Sequence, residues 1–144
     1  MAQTITVPDP SSNAAGGPHL DCERLDCFRV AVEFLALAAG LCAQRRLGAL
    51  RDQLDRASVS IALNIAEGAG RRTPAEKAHF FTIARGSATE CAAVLQLLVA
   101  RGLLGPASHR HGRGLLIRIV QMVTRLIERQ ARREAARPLA STPR

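Results

Sequence analysis

Between Ser60 and Arg72 the chain runs an apolar helix into an amide, a carboxylate, two glycines and a pair of arginines. Each of these choices works against a simple apolar helix, and such local conflicts mark fold-defining or functional positions. The same segment dictates what must surround it. Leu50, Leu54, Ala57, Ile61, Asn64 and Gly68 form one seam at alternating steps of four and three, whereas Val59, Leu63 and Ala66 lie almost opposite. A helix apolar on two sides needs cover on two sides. Partner helices of one bundle supply one cover, and another subunit is the expected source of the second.

The rest of the chain supplies the partner helices. A first helix is expected from Asp26 as N-cap, with Phe28, Val32, Leu35, Ala39 and Cys42 as its apolar face. Gln44 to Gly48 connects it to the second helix, about Ala49 to Glu67. Thr73-Pro74-Ala75-Glu76 is a capping box with proline at the first helical position, so a third helix starts there. Phe80, Ile83, Ala84, Ser87, Cys91, Val94, Leu95 and Leu98 face one way along it. Gly86, Ala93 and Ala100 form a small-residue stripe suited to close helix approach, and Gly102 and Gly105-Pro106 end the helix. A fourth helix is expected from about Gly114 to Glu134, with Leu116, Ile119, Val120, Val123, Leu126 and Ile127 inward. Four helices with short turns and no strand signal predict an all-α, antiparallel up-down-up-down four-helix bundle.

A chain of 144 residues fits a single domain. Residues 1–22 are rich in Pro, Gly and Ser without apolar period and read as a disordered leader, 23–135 as the bundle, and 136–144 as a disordered tail. The longest apolar run, Ala31 to Ala43, is too short to span a bilayer and carries Glu33; no membrane segment and no secretory signal are expected. Cys22, Cys27, Cys42 and Cys91 form no CxxC pair, which predicts reduced thiols in a cytoplasmic protein.

Asn64-Ile65-Ala66-Glu67-Gly68, followed by Ala84-Arg85-Gly86-Ser87 and Glu90, resembles the paired signatures of a four-helix-bundle family. These are the proteins first met in intervening sequences of bacterial 23S ribosomal RNA genes, in one superfamily with accessory proteins of diversity-generating retroelements. The resemblance covers about residues 25–130. It implies a four-helix bundle assembled into a homopentameric ring and, for the retroelement branch, contact with a reverse transcriptase and its template RNA.

Catalytic and metal chemistry find little purchase. Ser60, Asn64, Glu67, Ser87 and Glu90 are expected to form a structural polar core that sets helix register, as a buried Asn does in coiled coils. A di-iron bundle needs two Glu-x-x-His motifs; Glu76 to His79 is the single match, and Glu76 already serves the capping box. Ser87 and Cys91 fall mid-helix on faces expected to be buried, and no GxSxG, P-loop or HExxH pattern occurs. His109 and His111 are placed in a glycine-rich cationic turn. No enzyme activity, cofactor or metal is expected.

Charge points elsewhere. The net charge is +8, and 19 of the 20 cations are Arg, the residue suited to bidentate phosphate contacts. Residues 61–144 hold 14 basic and 5 acidic groups, so the excess lies in the second half. Arg71 and Arg72 sit beside the expected N-terminus of the third helix, Arg51, Arg56 and Arg85 add charge on the second and third, and Arg118, Arg125, Arg129 and Arg132 form a stripe on the fourth. With no Trp or Tyr and four Phe at expected core positions, platforms for stacking bases are missing. The reading is a homo-oligomeric basic bundle that binds RNA or DNA through phosphates, with sequence-tolerant and salt-sensitive affinity. Its rival is an oligomeric scaffold whose arginines hold acidic proteins.

Overall fold

The computed structural model describes residues 17–138, which contain four α-helices and no strand. Residues 1–16 and 139–144, and with them most of the expected leader and tail, lie outside the described residues. A short 3-10 turn, Asp21–Arg24, leads into α1 (Asp26–Cys42), and α2 (Ala49–Gly70), α3 (Pro74–Ala100) and α4 (Pro106–Ala135) follow. The central pairs α2–α3 and α3–α4 pack most extensively, and α1 closes the core against α2 and α4.

Local chemistry sets the boundaries. Gly48 starts α2 with φ of 57°, and Gly102 follows α3 with φ of 68°, the left-handed region that glycine enters without penalty. After Gly102, the Leu103 N–H reaches back to the Leu98 carbonyl at 2.9 Å, the Schellman closure of a helix end. At the start of α3, the Glu76 N–H donates to Thr73 Oγ1 at 3.2 Å while the Thr73 N–H donates to Glu76 Oε2 at 3.2 Å, as the sequence predicts.

One core runs through all four helices. Phe34, Leu54, Ile61, Ile65, Leu95, Leu98, Leu116, Ile119 and Val123 are its large, fully buried members. Two close approaches depend on glycine: a Cβ on Gly68 would stand 2.8 Å from the Phe81 ring, and one on Gly112 would stand 2.9 Å from Leu95 Cδ1.

Several expectations need correction. Asp26 is the first residue of α1 and pairs with Arg29; Leu25 holds the cap position without a side-chain bond. The buried face of α1 is Cys27, Val30, Ala31, Phe34, Ala38, Leu41 and Cys42; of the expected residues Cys42 is buried, whereas Phe28, Val32 and Leu35 are half-buried and Ala39 is exposed. α1 is apolar around most of its circumference, so apolar spacing alone fixes its phase poorly. α2 runs on to Gly70 rather than Glu67 because Lys77 Nζ donates to the Ala69 and Gly68 carbonyls at 2.7 and 3.3 Å, a cation on the negative helix end. α4 begins at Pro106, so His109 to Gly114 is helix, not turn; Gly112 is buried against Leu95 and Leu37 there.

The outer surface of α3 departs furthest from expectation. Gly86, Ala93 and Ala100 are exposed, and a Cβ on Gly86 would meet nothing within 4 Å, so among the described residues no helix closes on the stripe. Ile83 is 39% exposed rather than inward. α3 is also long and apolar enough to cross a membrane by length and composition, with an 18-residue window of mean hydropathy 1.2. Thr82, Arg85, Ser87, Thr89, Glu90 and Gln96 break its apolar residues into short runs, so no long contiguous stretch marks it in the sequence. Its inner side packs in the core, where helices meeting the same criterion are also found.

Candidate functional site

The two sequence signatures meet along the α2–α3 seam. Ser60 Oγ and Ser87 Oγ lie 2.8 Å apart across the helices, and Asn64 Nδ2 donates to the Ser60 carbonyl at 2.8 Å and to Ser60 Oγ at 3.1 Å. These three side chains form the core of the expected polar set. Glu67 and Glu90 do not join it: both are exposed. Glu67 is turned outward near the end of α2 and pairs with Arg71 one turn on. Glu90 accepts from the Gln53 amide at 2.9 Å, and the Gln53 oxygen accepts from Arg56 at 3.2 Å, once that amide is oriented to satisfy both neighbours. Gln53, Arg56, Ala57, Ser60, Ser87 and Glu90 line a shallow open cleft of about 320 Å³. Every polar group there has a neighbour of the right kind, so the cleft is a satisfied network with surface access.

The buried thiols of the core are held in their protonated form. Burial pushes the Cys27 thiol up to about 11 and the Cys91 thiol up to about 12, so both stay protonated and non-nucleophilic at neutral pH. Cys42 is raised by burial and then by Asp55, and its Sγ donates to the Arg51 carbonyl at 3.5 Å. Among the described residues, no three His, Cys, Asp or Glu side chains converge as a metal site. Glu76 is held below the usual carboxylate range, first by the Thr73 hydroxyl and then by the Thr73 backbone, with Arg71 and Arg72 adding to it.

The nine expected phosphate-binding arginines divide sharply. Arg71 pairs with Glu67 and lies 4.8 Å over the Phe80 ring, a cation–π contact that fixes it at the α2 end. That contact also occupies Phe80, which is half-buried; Phe28 is half-buried too, and only Phe34 and Phe81 are core residues. Arg85 is half-buried and reaches Thr124 Oγ1 on α4 at 3.5 Å. Arg56 is held by the Asp52 backbone carbonyl and Gln53 rather than by the Asp52 carboxylate. Arg51 and Arg72 are exposed.

Arg118, Arg125, Arg129 and Arg132 behave as one surface. All four are exposed, and among the described residues only Arg29, Arg71 and Arg137 have a carboxylate within salt-bridge distance. Because α4 starts early, His111 joins them. His111, Arg118, Arg125 and Arg132 recur every seven residues on one helix, each step about 10.5 Å at 1.5 Å per residue. Arg129 fills the interval between the last two. This makes a basic line of roughly 30 Å. Acidic residues on α4 are limited to Glu128 and Glu134, and Glu134 is taken by Arg137. The Gly105-Pro106 start signal would have revealed His111, but the glycines at 112 and 114 argued for a loop. Gln130 was also missed: it is 4% exposed, and its Oε1 has no hydrogen-bond partner.

Together, these features define, over the described residues, an all-helical chain whose fourth helix presents arginines outside any salt bridge and whose α2–α3 seam carries a hydrogen-bonded polar network. The family model for 23S rRNA-intervening sequence proteins matches residues 24–125. The chain belongs to that family. No curated protein matches it.

Proposed function

We propose that this protein is a non-enzymatic, basic, self-assembling bundle that binds RNA or DNA phosphates along the outer face of α4. The carrying observation is the line Arg118, Arg125, Arg129 and Arg132, with His111 two turns before it: exposed guanidinium groups on one helix, none of them in a salt bridge, with Glu128 as the one carboxylate among them. Such a line contacts successive phosphates of a polynucleotide, releases counterions and reads no base edges. The helices are taken as an up-down-up-down antiparallel bundle, which Ser60 beside Ser87 and Gly68 beside Phe81 support for α2 and α3. The ring of five comes from the family resemblance, as does a reverse transcriptase as protein partner. The protein acts in the cytoplasm without cofactor or metal.

Fluorescence anisotropy with mixed-sequence RNA and DNA across a salt series tests the reading. Affinity falls steeply with salt and differs little between sequences. Failure of the protein to bind either polymer at low salt rejects the proposal and leaves a scaffold for acidic proteins in its place.

A further inference from the structure

The geometry points to the groove between α3 and α4 as a docking site for an acidic amphipathic helix of a partner protein. Ala88 and Ala92 of α3 and Leu116, Ile117 and Val120 of α4 floor this groove, whose volume is about 230 Å³. Ile117 is 38% exposed at its edge. A floor of this kind takes the aliphatic side chains that a helix presents at i, i+3 or i+4, and i+7 when it lies in a groove. The groove is distinct from the arginine line, since about 100° of helix separates Ile117 from Arg118. The polyanion reading therefore stands or falls without it.

A cation stands at each end. Arg113 lines one end of the groove. At the other, Arg85 sits one turn of α3 before Ala88 and reaches Thr124 on α4 at 3.5 Å. From Arg113 to Thr124 α4 rises about 16 Å, or roughly three turns. Arg85 is half-buried, and among the described residues it has no carboxylate within salt-bridge distance. No carboxylate lines the groove, and Glu128, one turn beyond Thr124, does not pair with Arg85. A partly desolvated guanidinium gains most from a counter-ion that arrives with an apolar surface and excludes water. A helix with an aliphatic stripe and carboxylates about three turns apart on its margin supplies both. A polynucleotide offers phosphates but no aliphatic stripe for the floor.

Fluorescence anisotropy tests the proposal with a labelled helical peptide of about 18 residues, Leu along one face and two Glu roughly three turns apart on its margin. Polyuridine RNA is measured in parallel. The peptide binds the wild type with micromolar Kd, and a version with both Glu changed to Gln binds roughly tenfold more weakly. Ile117→Ser weakens the peptide roughly tenfold and leaves RNA affinity unchanged. Changing Arg118, Arg125 and Arg129 together to Gln does the reverse. Arg113→Glu rejects the acidic peptide and accepts one with Lys at the facing position, a rescue that a misfolded variant cannot show. Absence of peptide binding at low salt overturns the groove and leaves the RNA result untouched. Peptide binding that survives Ile117→Ser but is lost in the triple Arg variant does the same. Displacement of the peptide from the triple variant by polyuridine or by phosphatidylserine vesicles assigns the groove to nucleic acid or lipid and overturns the proposal. A changed assembly state of Ile117→Ser in sedimentation velocity assigns the groove to a contact between copies and overturns it too.

Discussion

α3 and α4 pack side by side and bury similar apolar faces, yet their outer surfaces are opposites. α4 turns seven arginines and two histidines outward or sideways against two carboxylates, whereas α3 between Thr82 and Ala100 exposes Thr, Gly, Ala, Gln, Ile, Leu and a single Glu. The core does not require this difference, because either helix could bury its inner side with any soluble exterior. Outer faces are free to diverge under function, and here they separate a strongly basic surface from a nearly uncharged one. The contrast predicts different salt dependences: the phosphate binding proposed for α4 weakens with salt, whereas any contact made through the uncharged stretch of α3 does not.

The largest effect tests the α4 side. Changing Arg118, Arg125 and Arg129 together to Gln lowers RNA and DNA affinity at low salt by roughly ten- to a hundredfold. The log–log salt slope flattens by about 2–3, at roughly 0.7–0.9 for each phosphate that is no longer neutralised. Circular dichroism stays unchanged because all three side chains point to solvent. Unaltered affinity removes α4 as the binding face and leaves the comparison without its basic half.

The two signature glycines test α3 from inside and outside. Gly68→Ala places a methyl 2.8 Å from the buried Phe81 ring and 3.2 Å from Phe80 Cβ. Overpacking exceeds the gain in helix propensity, so urea unfolding reports a net loss of about 1–2 kcal/mol. At the inner side of α4, Gln130→Met removes the unpartnered buried Oε1 and adds about 1 kcal/mol of stability. Gly86→Ala adds a methyl in open space and stabilises the chain by about 0.5–1 kcal/mol, measured at the lowest workable concentration. Opposite signs at Gly68 and Gly86 separate a glycine held by packing from one that no contact among the described residues requires.

Much of this arrangement was legible in the sequence, and the failures share a cause. α2 and α3 were readable because their boundaries carry strong local chemistry, the Thr73–Glu76 box above all, and because polar residues break the seam of α2 at defined positions. The exposure of Val59 and Leu63 opposite that seam follows from the same periodicity. α1 was misphased because its apolar residues outnumber the polar ones that reveal orientation; Arg29, Glu33 and the exposed Ala36 mark the outside better than Phe28 or Val32 marks the inside. Gly112 misled because a glycine needed for close packing and a glycine needed for a turn look alike in sequence. In the site, helical spacing aligned Arg118, Arg125, Arg129 and Arg132 correctly. It could not tell that Arg71 and Arg85 are engaged, since those contacts depend on Phe80, Glu67 and Thr124 meeting them in the fold.

The smallest expected effect sits at the start of α3, where that otherwise neutral helix concentrates its charge. Glu76 is held below its ordinary 4.5 chiefly by the Thr73 hydroxyl and backbone, and secondarily by Arg71 and Arg72. A carboxylate with a depressed folded pKa stabilises the protein above its unfolded pKa, and that contribution disappears as pH falls through the folded value. Thr73→Ala removes the cap hydroxyl that accepts the Glu76 N–H and donates to its carboxylate, at a cost of about 1 kcal/mol near neutral pH. In urea unfolding, the stability gap between wild type and Thr73→Ala therefore narrows as pH drops below 4.5, because in acid the wild type loses a carboxylate held by both the hydroxyl and the backbone N–H, whereas the variant loses one held by the backbone alone. Salt trims the gap only slightly, since short hydrogen bonds outrank the two arginines as its cause. A gap that stays constant into acid would mean the Glu76 side chain does not close the box, leaving the N-terminus of α3 capped by the hydroxyl alone.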